Sequence, residues 1–274
     1  MLHMNYFHLS AHELGRDAKI PVVKLGDPGE VFYELALEMI SAIRANAAAG
    51  KPAVFICPVG PVGQYPIFVR LVNREHLSLK NCWFINMDEY LEDDGSYIDE
   101  SSPLSFRGFM ARNVYGQIDS GLLMPPGQRV FPDPADPERV DRLIEELGGV
   151  DVAFGGIGIN GHLAFNEARE DLTAEEFAAL DSRVVALNPE TRTANAIGDR
   201  GGAIDAMPTR AVTIGMKQIL SARKVRLGVF REWHRAVVRQ AAYGPVTAHF
   251  PASLLQNHPD AVIYTNNVAA ARPF

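Results

Sequence analysis

Short apolar runs separated by longer amphipathic ones constrain this chain more than anything else in it. Residues 53–57, 82–87, 150–155, 210–214, 225–230 and 261–264 have strand character, and longer segments of helical character lie between them. Parallel strands need crossovers of about a dozen residues or more, usually helical, whereas antiparallel strands can be joined by tight turns. The alternation therefore predicts an α/β fold: a three-layer α/β/α sandwich around a mainly parallel, Rossmann-like sheet. Two helices can be placed from their ends. Asp27 suits an N-cap before Pro28, then Val31, Leu35, Met39, Ile40 and Ile43 recur on one face, and Gly50 provides a stop. Pro137 opens a second run in which Val140, Leu143, Ile144 and Leu147 share a face and Gly148-Gly149 ends it. A chain of 274 residues, 47% hydrophobic, can bury a large core as one α/β domain or two small ones. No repeat, low-complexity tract or linker divides it, and the Pro-rich stretches at 125–126 and 132–137 read as surface connections. A single domain over residues 1–274 is expected.

Charge and termini narrow the partners. Lys and Arg total 26 against 33 Asp and Glu, so the net charge of −7 leaves no basic footprint, and nucleic acid is not an expected partner. The opening Met1-Leu2-His3-Met4-Asn5-Tyr6-Phe7-His8 has no basic segment followed by an apolar one. No run approaches the ~18 apolar residues of a membrane span, so no membrane contact and a cytoplasmic location are expected. Cys57 and Cys82 end and begin apolar runs, where buried free thiols are commoner than a disulfide or metal site.

The stretch 152–167, Val-Ala-Phe-Gly-Gly-Ile-Gly-Ile-Asn-Gly-His-Leu-Ala-Phe-Asn-Glu, runs an apolar strand into glycines and then presents His162 and Glu167 together. Small molecules bind beyond the carboxyl ends of parallel strands, so this reads as an active-site loop. Gly156-Ile157-Gly158-Ile159-Asn160-Gly161 also satisfies G-x-G-x-x-G. That fingerprint, however, needs a helix opening at its last glycines and an acidic residue about 20 positions on, at a strand end. Asp181 meets the spacing only, and His162 and Glu167 stand where a pyrophosphate would approach bare backbone, so no nucleotide cofactor is expected. Nor do His162 and Glu167, five residues apart, show a metal-ligand spacing such as a helical H-x-x-x-H, and no metal is expected. Taken alone, His162 is as readily a satisfied hydrogen-bonding residue after a glycine turn as an acid/base. Asp88 follows the apolar run 82–87 directly, where a carboxylate is more often a turn or capping group, although a partly desolvated one can act as a base.

Together with Asn86-Met87-Asp88-Glu89-Tyr90, the run Gly161-His162-Leu163-Ala164-Phe165-Asn166-Glu167 resembles the glucosamine-6-phosphate deaminase/isomerase family, relatives of the 6-phosphogluconolactonases. Phe109-Met110-Ala111-Arg112-Asn113, Glu190-Thr191-Arg192-Thr193-Ala194-Asn195, Pro208-Thr209-Arg210-Ala211-Val212-Thr213-Ile214-Gly215 and Pro251-Ala252-Ser253-Leu254-Leu255-Gln256-Asn257-His258 resemble family segments in the same order. The resemblance thus spans about residues 53–263. It implies a cofactor-free enzyme acting on a small sugar phosphate, monomeric or a homo-oligomer. It further implies that Asp88 moves a proton between C2 and C1 of the opened sugar and that His162 is the ring-opening acid/base. Asn160 and Glu167 become its orienting neighbours, and Glu89 and Tyr90 shape the pocket.

The chain departs from the family pattern at two places. Asn160 stands where the family has an aspartate, so it can hydrogen-bond but carries no charge. The family's Thr-Gly-Gly-Thr phosphate loop is here Pro58-Val59-Gly60-Pro61-Val62-Gly63-Gln64-Tyr65. Gly60, Gly63 and Gln64 keep amides to offer, but Pro61 has no N–H and Val59 and Val62 have no hydroxyls. Ile197 replaces an arginine, with Arg192 and Arg200 nearby, and Arg235 falls at about the position of a phosphate-binding lysine. Arg231, Arg235 and Arg239 recur every four residues and equally suit a solvated helix face. The expected function is conversion of an amino-sugar phosphate to a ketose phosphate plus ammonia. A sugar-acid lactone phosphate hydrolase, against which Phe165-Asn166-Glu167 argues, and a non-catalytic sugar-phosphate-binding regulator are the alternatives.

Overall fold

The structure, a computed structural model, describes residues 6–274, the side chain of Asp199 excepted. Residues 1–5, part of the stretch read above for a leader, lie outside the described residues. The strands are β1 (Val22–Leu25), β2 (Ala53–Cys57), β3 (Cys82–Asn86), β4 (Asp88–Leu91), β5 (Arg129–Val130), β6 (Val152–Gly155), β7 (Arg183–Ala186), β8 (Arg210–Thr213), β9 (Lys224–Val229) and β10 (Ala261–Asn266). The helices are α1 (Pro28–Ala48), α2 (Gln64–Arg74), α3 (Phe106–Asn113), α4 (Arg139–Glu146), α5 (Ala174–Ala178), α6 (Pro189–Asp199), α7 (Met216–Leu220), α8 (His234–Tyr243) and α9 (Asn267–Ala270). Among the described residues, no helix is long and apolar enough to cross a membrane.

Seven strands form one sheet in the order β1-β10-β9-β6-β2-β3-β5, every pairing parallel. The pleat of β2 shows how its residues divide two cores. Ala53, Phe55 and Cys57 face one layer with Val31, Leu35 and Met39 of α1 and Phe68 of α2, while Val54 and Ile56 face the other with Val140 and Ile144 of α4 and Val237 of α8. Burial of every residue of β2 is what a central parallel strand requires. The α1 termini follow their residues: Asp27 Oδ1 accepts from the Glu30 amide, and Pro28 stands at the first turn. Cys57 and Cys82 are buried free thiols.

A second, antiparallel sheet, β4-β8-β7, corrects one expectation. Residues 210–214 were expected in the parallel sheet, yet β8 pairs antiparallel with both neighbours. A short apolar run reads alike in either sheet. What decides its place is β3, which leaves the main sheet at Met87 and continues directly into β4, giving β8 an edge to pair with. Met87 is the pivot: its amide bonds Cys57 O of the main sheet at 3.0 Å, and its carbonyl accepts from Ile214 at 2.8 Å.

In the main sheet the chain moves from β2 outward through β3 to β5, then returns to the other side of β2 with β6 and moves outward through β9 and β10. The loops leaving β2 and β6 diverge at this reversal, which is where open α/β sheets form their binding crevice.

Candidate active site

A cavity of about 570 Å³ occupies that crevice. Its walls come from the loop after β2 (58–63), the loop after β6 (156–165), the start of β4, the first turn of α3 and the segment 228–234, from the end of β9 to the start of α8. Asp88 and His162 both face it.

The glycines after β6 have separate steric reasons. A Cβ on Gly158 would lie 2.0 Å from His162 Cε1 and 2.2 Å from Nε2, so the imidazole rests directly on bare backbone. Gly161 has φ +83°, and a Cβ there would also strike the Phe250 ring at 2.6 Å. No helix opens at these glycines, so the structural context of a dinucleotide fingerprint is missing. Beyond His162 the loop holds Ala164 at φ +52°, an unusual conformation for a residue with a side chain. It is held by its neighbours: the buried Asn166 donates to Leu163 O and Ile214 O, both at 3.0 Å, and the Phe165 amide donates to Thr213 Oγ1.

The network around His162 fixes its tautomer. Asn160 Nδ2 donates to Glu167 Oε2 at 2.8 Å, which turns its Oδ1 toward His162 Nδ1, also at 2.8 Å. Thr191 Oγ1 spends its proton on Glu167 Oε2 at 2.9 Å and offers only lone pairs to Nδ1 at 3.2 Å. With acceptors on both sides, Nδ1 carries the hydrogen, and Nε2 is left as a lone-pair base beside the cavity. Glu167 Oε2 stands 3.4 Å from Nδ1. Burial pushes the Glu167 carboxyl up, but hydrogen bonds from His162, Asn160 and Thr191 outweigh it and hold the group below the usual glutamate range. A charged carboxylate is therefore fixed beside the ring.

Asp88 has the opposite environment. It is buried, and no described residue donates a hydrogen bond to its carboxylate. Burial first, and then the neighbouring Glu89 charge, raise its pKa well above the usual aspartate value. An ionised Asp88 is consequently a stronger base than an exposed aspartate.

Comparison with known proteins gives this site a setting. A glucosamine-6-phosphate deaminase from Bacillus velezensis is 34% identical over 246 residues, covering 87% of this chain and 95% of its own. Glucosamine-6-phosphate deaminase 1 of Bacillus subtilis is 31% identical over 248 residues, covering 87% and 96%. The chain belongs to the glucosamine-6-phosphate deaminase family. A solved monomeric glucosamine-6-phosphate deaminase superposes with a TM-score of 0.78 at 29% identity, over 91% of this chain and 98% of that one. A 6-phosphogluconolactonase from Trypanosoma cruzi shares the fold, with a TM-score of 0.65 at 16% identity over 91% and 95% of the two chains. No family model matches the sequence.

The remaining residues expected at a deaminase site are placed as follows. Gly60 and Gly63 line the cavity. Gln64 does not; its side chain is buried beneath the loop and donates to Pro61 O at 2.8 Å. Glu89 lies behind the wall, because its carboxylate accepts from the Phe106 and Arg107 amides and from Ser105 Oγ at the N-terminus of α3. Arg235 points away, with Nε donating to Val268 O and its guanidinium beside Glu232 at 3.2 Å. Arg192 donates to Ile204 O and Met207 O. Arg239 is no solvated-face residue, since it is fully buried and donates to Leu9 O, Arg235 O and Ala270 O. Arg231, in the segment between β9 and α8, lines the cavity instead. Sequence reasoning did not assign a role to Thr191 or His234; each arrives from a distant helix, and no local pattern marks it.

Proposed function

We propose that this protein converts an amino-sugar phosphate, glucosamine 6-phosphate or a relative, to the ketose phosphate and ammonia. His162 Nε2 removes the proton of the anomeric hydroxyl and delivers it to the ring oxygen, opening the sugar to the aldehyde. The Nδ1 hydrogen stays on the ring, donated to Asn160 Oδ1, and Glu167 stabilises the transient imidazolium. Ionised Asp88 then takes the C2 proton, made acidic by the adjacent aldehyde, and returns it to C1, while the C1 oxygen gains a proton and the amine gives one up, leaving a ketimine at C2. Water adds to the imine carbon, and ammonia departs to give the ketose. A positioned base of this kind typically contributes ~10² to 10⁴-fold.

The observation that carries this reading is the pairing of an unpartnered, buried carboxylate with an imidazole of fixed tautomer in one cavity. Hydrolysis of a lactone needs one base for water and gives Asp88 no task, which favours the deaminase reading over the lactonase one. A cytoplasmic enzyme fits a phosphorylated substrate, and one domain over residues 1–274 fits the shared sheet.

Incubation with glucosamine 6-phosphate, galactosamine 6-phosphate and 6-phosphogluconolactone tests the proposal. Ammonia and ketose in equal amounts from an amino sugar support it. Acid release from the lactone alone, or no turnover of any of the three, contradicts it.

A further inference from the structure

We infer that Arg231 is the specificity-determining residue of this site: its guanidinium receives the anionic group at the far end of the amino sugar, from the segment before α8 rather than from the loop after β2. The inference rests on the deaminase reading and names how that site selects its substrate.

Among the described residues, Arg231 is the one Arg or Lys on the cavity wall. Its guanidinium lies over α6, where a Cβ on Gly198 would come within 2.7 Å of Nη1, and no described residue accepts a hydrogen bond from it. The other arginines near the cavity that donate do so to carbonyls or sit beside Glu232, as described above. The loop after β2 supplies no side-chain donor: Val59, Pro61 and Val62 are apolar. At Gly63, before α2, the Phe32 ring sits so close that a Cβ would fall 2.2 Å from it, so no side chain could be added there without displacing the ring.

Arg231 is also registered to the catalytic loop. Its backbone N–H donates to His234 Nδ1 at 2.9 Å, and His234 Nε2 donates to Ile157 O at 3.1 Å. Burial pushes the His234 pKa down to about 3, so this link is a neutral imidazole with fixed donor and acceptor ends. The anion site and the loop that carries His162 are thereby held at one separation. A guanidinium presents parallel donors to two oxygens of a phosphate, which suits a substrate with a single terminal anion.

Titration calorimetry tests this with 2-amino-2-deoxyglucitol 6-phosphate, an open-chain amine with no aldehyde to react, and with its unphosphorylated counterpart. Arg231→Met is expected to weaken the phosphorylated analogue by ~10-fold or more and to leave the unphosphorylated one unchanged, with Arg231→Lys between. Equal binding of both analogues by the wild type, an Arg231→Met variant that binds as the wild type does, or equal losses on both analogues would overturn the inference. A wild type that binds the phosphorylated analogue but releases no ammonia from either glucosamine 6-phosphate or galactosamine 6-phosphate contradicts the deaminase reading instead, and leaves Arg231 as the anion-binding residue.

Discussion

Replacing Gly158 by Ala is expected to disable turnover while the protein stays folded. The residue does not have a positive φ, so an alanine backbone is permitted there and the obstacle is space alone. The new methyl carbon would lie 2.0 Å from His162 Cε1 and 2.4 Å from Nδ1, about 1.5 Å inside ordinary carbon contact. The imidazole cannot yield by turning in place, because Nδ1 is held by Asn160 at 2.8 Å and Thr191 stands at 3.2 Å. It must therefore shift by roughly 1 Å, and a misplacement of that size at a reacting group can cost ~10²-fold in rate. Breaking the Asn160 bond adds a stability loss of about 1 kcal/mol, which a domain of this size survives. Steady-state ammonia release, read beside thermal melting, is the assay. A folded variant whose kcat stays within about threefold of the wild type would refute the argument that His162 needs its present position.

The raised pKa of Asp88 sets the remaining pH behaviour. Because the folded state favours the protonated carboxyl, ionisation costs stability as pH rises through the raised value, so Asp88→Asn is expected to melt higher than the wild type at pH 8 and level with it at pH 3, each unit of displacement being worth about 1.4 kcal/mol; equal melting at both values would contradict the burial argument. The same ionisation is required for catalysis, so the acid limb of kcat/KM should lie above the ordinary aspartate range of about 4. Asn160→Asp places a second carboxylate 2.8 Å from Nδ1 and is expected to move the pH–rate profile and raise the ring-opening rate; an unchanged profile and rate would show that the neutral amide does not limit the step. Thr191→Val removes one of the donors that keep Glu167 ionised and should lower kcat with little change in KM, whereas a pure KM effect would make Thr191 a substrate contact.

Local signals in the sequence were the legible ones. The six apolar runs all became strands, and α1 and α4 formed where caps and faces placed them, because burial pattern and end chemistry are written within a few residues. Strands β1, β5 and β7 escaped notice because they are short and none of their residues is fully buried. β4 escaped because Asp88-Glu89-Tyr90-Leu91 has no alternation to read. At the site, Asn160, His162 and Glu167 were readable together since they fall within one loop. Arg231, Thr191 and His234 were not, because their places depend on how α6 and α8 dock. Arg231 rather than Arg235 lines the cavity because it falls in the 230–233 loop before α8, a segment with no hydrophobic period to read.

Proton transfer at C2 and C1 is the centre of the account, and hydrogen isotope content of the product measures it directly. Glucosamine 6-phosphate turned over in deuterium oxide by the wild type should give a ketose phosphate labelled at C1, by NMR, to the extent that Asp88 exchanges its proton with solvent. Substrate carrying deuterium at C2, turned over in ordinary water, should react more slowly and keep part of its label at C1. Asp88→Asn should abolish both the C2 exchange and the product while binding substrate. A Asp88→Asn protein that still exchanges C2 hydrogen at the wild-type rate would contradict the assignment of Asp88 as the base.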